Sequence, residues 1–186
     1  MAPQQHMVIS WVLSNLNYDK RRDRIVATIC GVIPDIDGLG GIIDDIKGDG
    51  SYYYYLSWHH KAGHNLFGVV FVGLIAYFIC GRKILPAMVS MTAYLIHLFC
   101  DLIGSGGPDG SLWPISFLWP ISESEMIVSW QWALNSWQNT LIAGIFMIIM
   151  IIIAGKKRRS FLEVFSPRMD NYCINLIEKI FKRRST

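Results

Sequence analysis

Five histidines and a small set of aspartates are spaced so that helical folding would collect them at one end of a bundle. His6 opens the first apolar segment, and Pro34-Asp35-Ile36-Asp37 closes the second. His59, His60 and His64 precede the third, and His97 with Asp101 lies near the close of the fourth. If successive segments run antiparallel as helices, every histidine lands at the same end. Imidazole nitrogens and carboxylate oxygens gathered in this way are the ligands of a zinc-type ion.

His97 and Asp101 are four residues apart and project from one helix face. Ionisable groups inside an apolar run are costly and mark a pathway, a pair or a metal. Either His59 or His60 pairs with His64 across the Lys61-Ala62-Gly63 stretch. In an extended stretch Asp35 and Asp37 share a face, as a carboxylate between two ions or one on each. His6 joins the set by its position. The candidate ligands are thus His6, Asp35, Asp37, His59, His64, His97 and Asp101, enough for one or two ions, with zinc first and manganese second. No serine or cysteine sits in a nucleophile elbow or a Cys/His arrangement. A metal-activated water is the expected nucleophile, with Asp35, Asp37 and Asp101 as the catalytic carboxylates.

The elements that must position these residues are apolar. The chain has 186 residues, 52% of them hydrophobic, and a mean hydropathy of +0.33. Trp137 to Ala154 is uncharged and ends at Lys156-Lys157-Arg158-Arg159, which predicts a membrane span. Leu66 to Cys80 and Ile84 to Gly104, three residues apart, predict a tight helical hairpin. Met7 to Leu16 and Ile25 to Ile33 are too short to cross about 30 Å of hydrocarbon and are expected to pack against that hairpin or re-enter. The stretches 38–58 and 104–129 read as long aromatic-rich loops over the histidine end. The fold class expected is all-α: a membrane-embedded bundle over residues 1–155 with the metal site at one end.

Charge orients this bundle. Lys20 to Arg24, Arg82-Lys83 and Lys156 to Arg159 fall at the histidine-free end, and the positive-inside rule places them in the cytoplasm. Six of the seven tryptophans fall at the other end, where an indole ring suits the membrane interface. Residues 156–186 carry nine Lys/Arg against three Asp/Glu and form a basic cytoplasmic tail. Tyr172, Leu176, Ile177, Ile180 and Phe181 recur in it at helical spacing, as in an interfacial amphipathic helix. A basic block after an apolar segment points to lipid rather than nucleic acid as partner. Cys30, Cys80, Cys100 and Cys173 form no CxxC pair, so no disulfide framework is expected. The N-terminus has no charged region leading into a long apolar run, so no cleaved signal peptide is expected.

His6, the run Gly31-Val32-Ile33-Pro34-Asp35-Ile36-Asp37, the pair His59 and His64 followed by Asn65, and His97-x-x-x-Asp101 together resemble the membrane-bound metal-dependent hydrolases of bacteria and archaea. Those are similar in motif to the zinc-dependent phospholipase C and P1-type nuclease group. The resemblance covers roughly residues 5–120. At its third motif, His-Arg-Gly-x-Thr-His-Ser, this chain has His60 for Arg, Lys61 for Gly, Gly63 for Thr and Asn65 for Ser. It implies an all-helical fold and hydrolysis of phosphoester or similar bonds at zinc. The phospholipase group has a further histidine motif, whereas no histidine follows His97 here, so a third ion is not expected.

The expected function is therefore a multi-pass inner-membrane hydrolase with its metal site on the periplasmic or extracellular side, acting on an amphiphilic, phosphoester or phospholipid-type substrate. The alternative is a non-enzymatic metal-binding or accessory integral membrane protein.

Overall fold

The structure, a computed structural model, describes residues 1–48 and 50–182. Among them the regular structure is all helical: α1 (Pro3–Asn17), α2 (Arg21–Cys30), a 3-10 helix (Ile33–Leu39), α3 (Gly40–Lys47), α4 (Tyr53–Trp58), α5 (Leu66–Ile79), α6 (Ile84–Gly104), α7 (Trp137–Lys157), a second 3-10 helix (Phe161–Val164) and α8 (Pro167–Lys182). Helix starts follow local chemistry. Pro3 opens α1, where a missing N–H costs nothing. Asn65 caps α5 by accepting from the Gly68 N–H at 3.0 Å.

α6 and α7 are 21 residues each and apolar enough to cross a membrane. At about 1.5 Å per residue each spans roughly 30 Å, the thickness of the hydrocarbon core. They do so differently: 50% of the most apolar window of α6 is buried in the protein, against 17% for α7. Leu141, Ile145, Ile148, Ile151 and Ile152 of α7 face outward, a surface that needs hydrocarbon around it. α5, with 14 residues, is shorter than a full span. α2 and the 33–47 helical stretch meet at a 45° bend and add a third crossing if taken as one broken span.

α5 and α6 form the expected hairpin, and α2 packs on both. Their shared core is Cys30, Val69, Val72, Tyr94 and Leu98. A second core joins α1 to the lower half of α7 through Trp11, Val12 and Ile153. The stretch expected to be one loop, 38–58, instead holds α3 and α4. Gly48 ends α3 in the left-handed region, at φ 65°. The Asp44 carboxylate accepts from the Tyr54 and Tyr55 N–H groups at 3.0 and 2.8 Å and so seats α4 on α3. The segment 105–136 has no long element and is held by Gln131, whose side-chain amide donates to the carbonyls of Asp101, Leu102 and Trp113.

At the histidine-free end the basic turns meet. The Arg24 guanidinium grips both carboxylate oxygens of Glu163, at 2.7 Å for Nε to Oε1 and more closely for Nη2 to Oε2. Trp11 Nε1 donates to Oε1 at 2.9 Å. Both charged side chains are buried. Glu163 belongs to the segment after the last span, so that segment is built into the bundle at its first turn.

Candidate metal centre

Three elements from distant parts of the sequence deliver the ionisable groups. The 33–39 helix brings Asp35 and Asp37, the 59–65 loop brings His59, His60 and His64, and the last turns of α6 bring His97 and Asp101. The loop is seated by its glycine. A Cβ at Gly63 would overlap the Pro34 carbonyl, and its own carbonyl accepts from the Tyr94 hydroxyl. This accounts for glycine where the resembled family carries threonine. Asn65, in place of serine, keeps the capping oxygen and also donates to the carbonyls of Lys61 and Ala62.

Asp35, His64, His97 and Asp101 converge so that one donor atom from each lies within 4.8 Å of the others. Asp101 Oδ2 is 3.2 Å from His64 Nε2 and 3.0 Å from His97 Nε2, and the two ring nitrogens are 3.2 Å apart. Asp35 Oδ1 lies 3.5 Å from His97 Nε2. Four ligands at 2.0–2.1 Å from a common tetrahedral centre are separated by about 3.3 Å. The His64, His97 and Asp101 donors have these dimensions, and Asp35 lies within 4.8 Å of each. Asp35 Oδ2 is buried with no hydrogen-bond partner among the described residues. A buried carboxylate oxygen left so is expensive unless a cation answers it.

The opposite ring nitrogens are engaged elsewhere. His97 Nδ1 donates to the Gly31 carbonyl at 2.8 Å, which in the neutral ring leaves Nε2 with the lone pair. His64 Nδ1 donates to Asp37 Oδ2 at 2.9 Å with the same consequence. Asp37 also accepts from His59 Nδ1 at 2.9 Å and from the Gly63 N–H at 2.9 Å. A second group, Asp37, His59 and His64, has metal-compatible spacing too, but it needs the other nitrogen of the same His64 ring. A neutral imidazole offers one lone pair.

The structure corrects the reading of the two aspartates. They lie in a 3-10 helix rather than an extended stretch, and at three residues per turn side chains two apart point about 120° away from each other. Asp35 consequently approaches His97, and Asp37 approaches His59 and His64. His59, not His60, falls in a metal-compatible group. Helix α5 begins only at Leu66, so His60 and His64 do not share a helix face. His60 is instead buried, and burial together with the His64 and His59 rings pushes its pKa down to about 3. Burial opposes the charged form of His64 as well, but its hydrogen bonds to Asp101 and Asp37 outweigh that and raise its pKa. His6 is fully enclosed, stacks on His97 with centroids 3.6 Å apart, and bonds Asp101 Oδ1 at 3.1 Å. That places it behind Asp101, outside the four-residue cluster.

Sequence reasoning placed the two aromatic stretches over this end but did not single out Tyr55 or Trp113 as cavity walls, or the carbonyl of Gly31. A cleft of about 310 Å³ reaches Asp35 and Asp101 between Tyr55, His59, His60 and Trp113. A second, of about 170 Å³, shares those four walls and continues to Leu56, Lys61 and Pro114. Trp113 was only one of several tryptophans in the sequence, and nothing local distinguished it.

Among known proteins, the family model described as YdjM inner membrane protein matches residues 1–169. No curated protein and no solved structure matches the chain.

Proposed function

The chain belongs to the YdjM inner membrane protein family, and from that premise we propose that it is a membrane-bound metal-dependent hydrolase, with Asp35, His64, His97 and Asp101 as the ligands of one ion. The observation that carries this reading is the convergence of His64 Nε2, His97 Nε2 and Asp101 Oδ2 at 3.0–3.2 Å beside the unpartnered Asp35. A divalent ion of the zinc type, or manganese, would polarise a substrate oxygen and acidify a water there. Asp37 and the Gly31 carbonyl keep the two imidazoles in the ligating tautomer. His6 occupies the other oxygen of Asp101 and fixes its plane. Asp35 also borders the cleft, so its carboxylate oxygen not used by the ion would be the one to take a proton from an attacking water.

The cleft suits an amphiphile. Its deep end is acidic, while Leu56, Pro114, Trp113 and Leu134 supply apolar walls. Exposed Leu39, Ile42, Ile121, Trp130 and Trp137 surround this end, as expected for a mouth at headgroup depth. A phosphoester or phospholipid-type substrate fits that setting. With the basic turns in the cytoplasm, the mouth faces the periplasm.

Metal content of detergent-purified protein tests the reading first. A stoichiometric ion, absent from His97→Ala, is expected. Asp35→Asn should then abolish phosphoester turnover more completely than it lowers metal content. An ion without turnover of any phosphoester or phospholipid would favour a metal-binding accessory protein, and no ion at all would overturn the site.

A further inference from the structure

Helix α8 has two apolar faces, and the bundle uses only one of them. Ile174 is buried, and Ile177 lines a cavity with Ala154, Gly155 and Arg158 at the last turn of α7. On the outward side Phe165, Met169, Tyr172 and Leu176 are 59%, 47%, 73% and 49% exposed. Their spacing of four, three and four residues forms a continuous stripe, begun by Phe165 just before the helix. Arg168 and Lys179, both exposed, run along one edge of the stripe, with the exposed Asn171 and Asn175 beyond them. Sequence periodicity had grouped Ile177 with Tyr172 and Leu176, but packing separates them; the side chains of Ile180 and Phe181 lie outside the described residues.

The orientation of this stripe is locked. Asp170 Oδ1 accepts from the Ser160 hydroxyl at 2.8 Å and from its N–H at 2.5 Å. Arg158 pairs with Glu178 at 2.5 Å. Both bonds tie α8 to the residues that directly follow α7. α7 leaves the hydrocarbon where Ile151 and Ile152 give way to Lys156 and Lys157, so α8 is held at that depth.

We propose that α8 is a membrane-surface helix whose outward stripe lies among the headgroups of an anionic bilayer, with Arg168 and Lys179 on lipid phosphates. Three observations select lipid as the occupant. The stripe is apolar where water would otherwise meet it. Its edge is cationic, as is residue 156–186 taken whole, with nine Lys/Arg against three Asp/Glu. It also follows, after one short 3-10 helix, a span whose outer surface is exposed and apolar. Most of α8 lies beyond the residues shared with the family, so the inference is independent of the metal centre.

Spin labels on the full chain in vesicles of phosphatidylethanolamine and phosphatidylglycerol test it, with Cys100 and Cys173 changed to serine. Met169→Cys and Leu176→Cys should collide severalfold more with oxygen, relative to a water-soluble nickel complex, than Asn171→Cys and Asn175→Cys. Adding Arg168→Glu and Lys179→Glu should shrink that contrast. Equal access of the nickel complex to all four positions would overturn the proposal. So would labels at 169 and 176 shielded from both reagents and broadened until the protein is diluted, because the occupant would then be a second copy.

Discussion

The two ends of the bundle both bury charge, but the Arg24–Glu163 pair is matched group for group, whereas the histidine cluster leaves a carboxylate oxygen unmatched beside a cleft. Around Arg24 and Glu163, each carboxylate oxygen meets a guanidinium nitrogen, and Trp11 adds a further donor. Remaining Arg24 donors reach the carbonyls of Asp19 and Tyr18. At the histidine end two ring nitrogens face each other at 3.2 Å across a carboxylate oxygen, and Asp35 Oδ2 has no partner among the described residues. A completed network holds helices in register. An incomplete one beside a cleft is a place for a ligand.

Breaking each end should therefore give different signatures. The largest effect is expected at the histidine end: His64→Ala removes a proposed ligand and the Asp37 contact together, and bound metal should fall to background by mass spectrometry while the helical content persists. Next, Glu163→Ala strands the Arg24 charge in a buried site, at a cost of about 3–5 kcal/mol. Thermal unfolding in detergent should show it, with metal content per folded molecule unchanged. Replacing both partners by apolar residues, Arg24→Met with Glu163→Leu, should recover most of that loss.

Asp37→Asn sharpens the comparison by loosening the histidine end without deleting a ligand. It should weaken metal binding by roughly 10–100-fold, as removal of an orienting carboxylate does. A titration against a chelator reads this, and an unchanged affinity would mean that His64 is fixed by its loop alone. Metal loading should also decline as pH is lowered, because the imidazoles must be neutral to bind. The smallest effect is expected from Lys61→Ala. Its contact with Glu125 is 3.8 Å and half exposed, worth about 0–1 kcal/mol, and neither stability nor metal content should move measurably.

Much of this was readable along the chain, because it depends on local periodicity. Apolar runs that stop at charges define helices and their direction. The four-residue spacing of His97 and Asp101 puts both on one face wherever the helix packs. Alternation of polar ends predicted that the histidines would gather, and the cluster at one end of α5 and α6 follows from it. The two short helices within residues 38–58 were less readable, since glycines and tyrosines there satisfy a loop pattern equally well.

The sequence by itself determined an all-helical chain with apolar spans, a histidine-bearing end and a basic end. Tertiary structure alone decided which groups meet. Asp35 and Asp37 part company because the backbone winds at three residues per turn after Pro34. His59 rather than His60 meets Asp37, with the backbone turning at His60 through a positive φ of 66°. Glu163 finds Arg24 across 139 positions of chain. Such pairings depend on turn geometry and packing between distant segments, where a single backbone angle redirects a side chain and no local spacing records it.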